Sequence, residues 1–230
     1  MKLLALDAAT EQCSVALRID AHCISRSVVT PRGHAELILP MIDEVLDEAG
    51  LKLNQLDAIA FGRGPGAFTG VRIAIGVVQG LAFACDLPVI GISNLAAVAQ
   101  RCPVITGEIL VCMDARMNEV YWGRFKFADD GLVTSTSDEQ VSSPETVIAL
   151  TASVTPAFAM TIGTGLSAYP ALREHFRKIS SDATALPHAV EIAKLGERDF
   201  ERGLAVDAAH AQPVYLRDQV THVKPASTVS

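Results

Sequence analysis

The stretch Gly62-Arg-Gly-Pro-Gly-Ala-Phe-Thr-Gly-Val-Arg-Ile-Ala-Ile-Gly-Val-Val-Gln-Gly-Leu-Ala82 joins a glycine-rich loop to a helix with almost no polar face. The run before it, Leu56 to Phe61, reads as a buried strand, so the loop sits at a strand-to-helix junction. Gly62, Gly64 and Gly66 open backbone angles closed to other residues, and Pro65 stiffens the turn. From Thr69 to Cys85 only Thr69, Arg72 and Gln79 are polar, and a helix apolar all round is buried on more than one side. Arg72, Gly76, Gln79, Gly80 and Phe83 nevertheless share one stripe, spaced by three and four residues. Two of these five are glycines, which let another backbone come close. The stripe reads as a docking surface rather than a solvent face.

Two simpler readings of the loop fail on its surroundings. Gly62-x-Gly64-x-x-Ala67 matches the dinucleotide-binding fingerprint loosely, but that fold wants an acid at the end of the next strand to hold the ribose. Here the next strand, Pro88 to Ile92, runs into Ser93-Asn94. A nucleoside-triphosphate P-loop requires a closing Lys-Ser/Thr pair, and none follows Gly66. A tight turn that packs a helix onto a sheet accounts for the glycines by itself.

The chain of 230 residues is half hydrophobic, enough for one large α/β domain or two small ones. A net charge of -7 with scattered Lys and Arg argues against nucleic-acid binding by this chain alone. Cys13, Cys23, Cys85, Cys102 and Cys112 form no Cys-x-x-Cys pair and lie mostly in apolar segments, as reduced thiols do in a cytosolic protein. Asp7 interrupts the N-terminal apolar run too early for a signal peptide. Arg72, Gln79, Asp86 and Pro88 argue against a membrane span across Val71 to Ile92. The expectation is a soluble cytoplasmic protein.

The pattern along the chain opens with strands Lys2–Leu6, Cys13–Ile19 and Ile24–Val29 as a meander. A helix from Gly33-His34 to about Ala49 follows, stopped by Gly50. Strand 56–61, helix 69–85, strand 88–92 and helix 94–101 complete a first unit. The pattern restarts after Pro103 with strand Glu108–Met113, a turn at Asp114-Ala-Arg-Met117 and strand Glu119–Phe127. A Ser/Thr-rich loop spans Thr134 to Ser143, then come helix 145–151, strand Ala157–Ile162, a helix opened by Gly163-Thr-Gly165 and a helix Ala189–Arg202. Strand-Asp7-x-x-Thr10-strand is echoed by strand-Asp114-x-x-x-strand, so a duplicated domain is the simplest account. The units are 1–102 and 103–219, with a frayed tail over 220–230.

The helix after Gly33 supplies a second sign of a docking face. Ala35, Leu37, Ile38, Leu39, Met41, Ile42, Val45, Leu46 and Ala49 cover an arc of roughly 200° at about 100° per residue. Packing on one sheet face uses only about half that width. Two consecutive helices with surplus apolar surface suggest a shared face for another subunit, with Leu37, Met41 and Glu44 joining Arg72, Gly76, Gln79, Gly80 and Phe83.

Leu-Ala-Leu-Asp7-Ala-Ala-Thr10 resembles the first phosphate hairpin of the actin, hexokinase and Hsp70 superfamily. Gly62-Arg-Gly-Pro-Gly-Ala-Phe-Thr-Gly-Val-Arg72 and Met113-Asp-Ala-Arg-Met-Asn-Glu-Val-Tyr-Trp122 are very similar to the bacterial TsaB (YeaZ) proteins. The resemblance runs from Met1 to at least Arg217, and Asn118 stands where glycine is expected. It implies two duplicated actin-like, ribonuclease H-like α/β lobes, each a mixed sheet with flanking helices. It also implies a role in forming threonylcarbamoyladenosine in tRNAs that read codons beginning with A. In that family the role is a non-catalytic one: the chain dimerises with a TsaD catalytic paralogue and activates it, a TsaE ATPase joins them, and tRNA is met through the complex. Alone, such a chain is expected to self-associate through the same face.

The resemblance carries no catalytic residue onto this sequence. The catalytic paralogue follows its Gly-Pro-Gly loop with a His-x-x-x-His metal pair, where this chain has Asn94-Leu-Ala-Ala-Val98. The six histidines (His22, His34, His175, His188, His210 and His222) nowhere pair at metal spacing, and they read as surface or helix-end residues. Two readings of Asp7, Thr10, Asp114 and Arg116 stand: they orient a nucleotide phosphate through Mg2+ across a cleft, or they are turn residues inherited from a nucleotide-binding ancestor. Gly163-Thr-Gly165 occupies the place where the superfamily packs against adenosine. No cofactor is expected on the isolated chain; ATP or ADP with Mg2+ is expected only in the complex. The competing reading is a stand-alone ATP-binding phosphotransferase or a metallopeptidase-like enzyme, with Asp7 or Asp114 as the only carboxylate bases on offer.

Overall fold

Apolar residues of alternating facing set the first sheet. The computed structural model describes residues 1–152 and 158–217. Strands β1 (Lys2–Asp7), β2 (Gln12–Ile19) and β3 (His22–Val29) form an antiparallel meander. Strands β4 (Ala58–Gly62) and β5 (Val89–Ile92) add in parallel, giving the order β3-β2-β1-β4-β5. Leu4 and Leu6 of β1 turn to one face, where α1 (His34–Ala49) and α2 (Phe68–Cys85) pack. Leu3 and Ala5 turn to the other face, against α7 (Ala189–Glu201). Side chains alternate across a strand, so covering both faces buries nearly all of it.

The second sheet repeats the plan. Strands β6 (Ile109–Asp114), β7 (Val120–Phe127) and β8 (Val133–Ser135) are antiparallel, and β10 (Met160–Ile162) and β11 (Ser180–Asp182) extend it in parallel, in the order β11-β10-β6-β7-β8. Strand β9 (Gln140–Ser142) pairs with the start of β7. Three strands in a meander followed by two parallel strands, twice over, is the duplicated actin-like fold. Helices α4 (Pro144–Thr151), α5 (Gly165–Ala168) and α6 (Pro170–His175) cover its outer face around Trp122, Phe158, Leu166 and Phe176. Helix α3 (Asn94–Ala99) and α7 lie in the core shared with the first sheet, where Leu95 and Ile192 meet Ile109, Met113 and Phe125.

Helix α7 follows the second sheet in the chain but packs mainly on the first. It comes close at Gly196, where an added Cβ would stand 2.7 Å from the Cβ of Ala60. Ala189 at its start donates its backbone N–H to the buried Ser14 Oγ at 3.0 Å. Residues beyond it also return: Val89 and Val206 form a β-bridge, and Gln79 Nε2 donates to the Ala211 carbonyl at 3.1 Å.

Several expectations are corrected in detail. The Ser/Thr-rich segment 134–143 is not a plain loop, because β8 and β9 pair with β7 at either end of it. The helix after Gly165 breaks at Tyr169, since Pro170 begins α6 and the residue before a proline avoids the helical region. Strand β11 is polar and was not anticipated. The expected start of a strand at Ala157 and the tail 220–230 lie outside the described residues. All five cysteines are free; Cys23 is exposed and Cys85 half-buried, whereas Cys13, Cys102 and Cys112 are buried. Burial pushes the Cys112 thiol up to about 12, which keeps it protonated and unreactive.

Candidate functional site

Two surfaces gather the residues singled out from the sequence. The first is the outer face of α1 and α2. Val71, Ala74, Ile75, Val78 and Ala82 turn one side of α2 into the core, leaving the other side bare. Arg72, Gly76, Gly80 and Phe83 are exposed along that bare side, Phe83 by 85%. A Cβ placed on Gly76 or Gly80 meets nothing within 4 Å, so both glycines border open space. On α1, Ile38, Ile42, Val45 and Leu46 are buried, while Leu37 and Met41 are half-buried and Leu39 is exposed. Among the described residues α2 is the one helix long and apolar enough to cross a membrane, but its buried side is held on the first sheet.

Three members of the predicted face have internal partners, the first being Arg72, whose Nε donates to the Tyr215 hydroxyl at 2.8 Å. The half-buried Gln79 spends its amide on the Ala211 carbonyl. Glu44 accepts from Arg26 Nε at 2.8 Å, and Glu48 from Arg26 Nη2 at 2.5 Å, tying α1 to β3. Solvent screens exposed pairs of this kind, so they orient the two elements more than they stabilise them. The exposed part of the stripe is Arg72, Gly76, Gly80 and Phe83.

The second surface is a cleft of about 1000 Å³ between the lobes. Its walls are the β1–β2 turn, the first turns of α1 and α2, the β6–β7 turn and the segment Val214–Arg217. Thr10, Asp114 and Arg116 line it, and Asp7 does not. Asp7 is fully buried, its Oδ1 accepting from Asn94 Nδ2 at 2.6 Å. Asn94 Oδ1 in turn accepts the Gly64 N–H at 2.7 Å, so one amide fixes both the end of β1 and the Gly-Pro-Gly loop. A side chain on Gly62 would collide with the Asp7 carboxylate and with Asn94. Burial pushes Asp7 up to about 7, against the opposing pull of the Asn94 hydrogen bond.

The remaining cleft residues are also engaged. Thr10 Oγ1 accepts the Gln12 N–H at 3.2 Å, and the Thr10 carbonyl meets His34 Nε2 at 2.9 Å. Asp114 accepts from the Arg116 N–H and the Tyr169 hydroxyl, each at 2.8 Å, and pairs with Arg116 Nη1 at 3.0 Å. Burial, and then the Asp114 carboxylate, push Tyr169 up to about 12. Asp7 and Asp114 do not converge on one site: Asp7 turns inward to Asn94, whereas Asp114 stands in the cleft with Oδ1 engaged by the Arg116 N–H and the Tyr169 hydroxyl and Oδ2 facing only the exposed Arg116 side chain. Among the described residues no three of His, Cys, Asp and Glu gather as a metal site. Asn94 and Val98 are both fully buried. His34, His175 and His188 lie at helix ends, and His188 Nδ1 accepts the Val190 N–H to cap α7.

Local backbone explains two glycine signals. Gly163 has φ +113°, and a side chain there would collide with the Cys112 carbonyl, so the Gly163-Thr-Gly165 loop is built to lie against β6. In the β6–β7 turn Arg116, Met117 and Asn118 have φ of 60°, 57° and 57°. That left-handed region favours glycine, and asparagine tolerates it better than most residues, which accounts for Asn118. Arg217 fastens this turn: its Nη2 donates to the Ala115 carbonyl at 3.0 Å and pairs with Glu119.

A family profile described as TsaD: tRNA N6-adenosine threonylcarbamoyltransferase matches residues 28–224. The tRNA threonylcarbamoyladenosine biosynthesis protein TsaB of Haemophilus influenzae is 41% identical over 233 residues, covering 97% of each chain. The chain belongs to the TsaB (YeaZ) family. The TsaB of Escherichia coli is 39% identical over 97% of this chain and 98% of its own. The solved structure of YeaZ from Pseudomonas aeruginosa superposes with a TM-score of 0.80 at 43% identity, over 94% of this chain and 99% of that one. Membership of the TsaB family ties the chain to tRNA threonylcarbamoyladenosine biosynthesis.

Sequence reasoning missed the segment that closes the site, residues 211–217. Val214 donates its N–H to the Arg63 carbonyl at 2.8 Å, crossing the Gly-Pro-Gly loop. Tyr215 stacks on Phe68 with ring centroids 5.6 Å apart, and Arg217 reaches the β6–β7 turn. A lone tyrosine and a lone arginine after the last helix carry no periodic signal, so nothing in the pattern marks them.

Proposed function

We propose that this chain is the non-catalytic subunit that dimerises with a TsaD-like catalytic paralogue and activates it in forming threonylcarbamoyladenosine in tRNAs reading codons that begin with A. The observation that carries this reading is the bare side of α2, where Arg72, Gly76, Gly80 and Phe83 stand exposed on an otherwise apolar helix. Open space over both glycines suits the close approach of a partner helix. A TsaE-like ATPase and the tRNA meet this subunit through the assembled, cytoplasmic complex, and nucleotide and Mg2+ chemistry belongs to that complex. Without its paralogue the same face pairs two copies of the chain. The rival reading, a phosphotransferase or metallopeptidase-like enzyme, needs a cleft base, and with Asp7 turned toward Asn94 it rests on Asp114 alone.

Gly80→Trp is the test. It fills open space on the outer surface, so circular dichroism and melting stay close to wild type, while affinity for the paralogue falls about 100-fold or more. Reconstituted tRNA modification falls with it. Modification that proceeds equally well without this chain, or unchanged co-elution of the variant with the paralogue, overturns the reading.

A further inference from the structure

The docking stripe contains one cation, and the structure fixes that cation in place. The Arg72 guanidinium carbon lies 3.5 Å from the centre of the Phe68 ring. Its Nε donates to the Tyr215 hydroxyl at 2.8 Å, and the Tyr215 ring stacks on Phe68 at 29°. Tyr215 is itself anchored, since the neighbouring Val214 is bonded to Arg63 and Arg217 is bonded to the β6–β7 turn. Two contacts thus hold a long flexible side chain that would otherwise sample many rotamers, and the Phe68–Tyr215 stack braces both. Yet among the described residues no carboxylate lies within salt-bridge distance of Arg72, and neither of its terminal nitrogens makes a hydrogen bond.

An exposed surface arginine normally gains little from being ordered, because immobilising its side chain loses rotamer entropy. Here that ordering is already complete before any partner arrives. With Nε occupied, the two terminal nitrogens present the end of a planar fork, which matches the two oxygens of a carboxylate. One turn further along the stripe, Gly76 leaves open space beside the fork for a partner to approach.

We propose that Arg72 is a pre-set carboxylate receptor on the docking face, with Phe68 and Tyr215 as its positioning residues. It receives an aspartate or glutamate side chain that the catalytic paralogue presents over the first turns of α2. This rests on the docking reading above and adds the chemistry that the partner must carry.

Calorimetric titration of the full chain with its TsaD-like paralogue, at about 50 mM and about 500 mM NaCl, tests it. Arg72→Ala is expected to weaken binding roughly tenfold or more at low salt and to flatten the salt dependence. Arg72→Lys does not restore affinity, because a point charge lacks the fork. Tyr215→Phe keeps the ring stack, loses the hydroxyl and weakens binding by a smaller factor without changing the melting temperature. Wild-type affinity in Arg72→Ala, with binding still lost in Gly80→Trp, overturns the receptor and leaves the docking face standing. An equal loss at both salt concentrations assigns Arg72 a packing role and also overturns it. So does a loss of self-association in Arg72→Ala with paralogue binding unchanged. Failure of the wild-type chain to bind the paralogue removes the docking reading itself.

Discussion

Asp7→Asn is expected to raise stability at pH 8 by on the order of 2–4 kcal/mol and to change it little at pH 4. The unfolded Asp7 carboxyl titrates near 3.8, while the buried native group is pushed up to about 7. Below the lower value both states hold the proton, and Asp7 adds no pH dependence. Between the two values the unfolded state loses its proton first, so stability falls as pH rises, and above about 7 the deficit stays constant. About three pKa units correspond to on the order of 4 kcal/mol. An asparagine keeps an oxygen for Asn94 Nδ2 and cannot ionise, though it gives up the long 3.4 Å bond from the Ala9 N–H, worth about 1 kcal/mol. Urea unfolding of both proteins at pH 4 and pH 8 measures this. An equal change at the two pH values would show that the native carboxyl titrates normally.

The three helical glycines of α2 are expected to respond in opposite directions. Gly70→Ala should destabilise by about 3 kcal/mol or more, since its Cβ would collide with the Ala8 carbonyl in the β1–β2 turn. That neighbour is backbone, so relief requires moving the turn or the helix. Gly76→Ala and Gly80→Ala meet nothing and should each stabilise by about 1 kcal/mol, the propensity gap between the two residues in an exposed helix. Thermal melts of the three single variants decide the matter; destabilisation by all three would mean that Gly76 and Gly80 pack internally. The opposite signs also give function a place in the sequence. Retaining two residues that weaken the free helix is intelligible if a partner has to come close to it.

Long, strongly patterned elements were legible before the structure. The apolar run at Lys2–Leu6 marked a buried strand, and the spacing of Ile38, Ile42 and Val45 marked the side of α1 that packs on the sheet. The duplication was legible in the recurrence of strand, Asp and strand at Asp7 and Asp114. Strands β8, β9 and β11 were not, because Val133-Thr-Ser135, Gln140-Val-Ser142 and Ser180-Ser-Asp182 are short and largely polar and lack the apolar run that marked β10. The spacing of Gly70, Gly76 and Gly80 said nothing about which of them is crowded. That depends on Ala8, a residue far off in the chain. Asp7 shows the same limit. Its place at a turn left open a phosphate ligand or an inherited turn residue, and only its position beside Asn94 reveals that the carboxyl turns inward. Tyr215 owes its importance wholly to Phe68 and Arg72, which lie about 140 residues earlier.

The position of α7 bears on how the chain must be made. The underside of the first sheet, with Leu3, Ala5, Ala16, Ala58 and Ala60, is covered by a helix that begins only at Ala189. During synthesis from the N-terminus, β1 to β5 are therefore complete long before one of their two faces can close. The nascent first lobe carries an open apolar surface until the ribosome has passed Glu201, and the Val214 bond across the Gly-Pro-Gly loop forms later still. Such a lobe depends on chaperones, or on the rest of its own chain, for protection from aggregation while it waits.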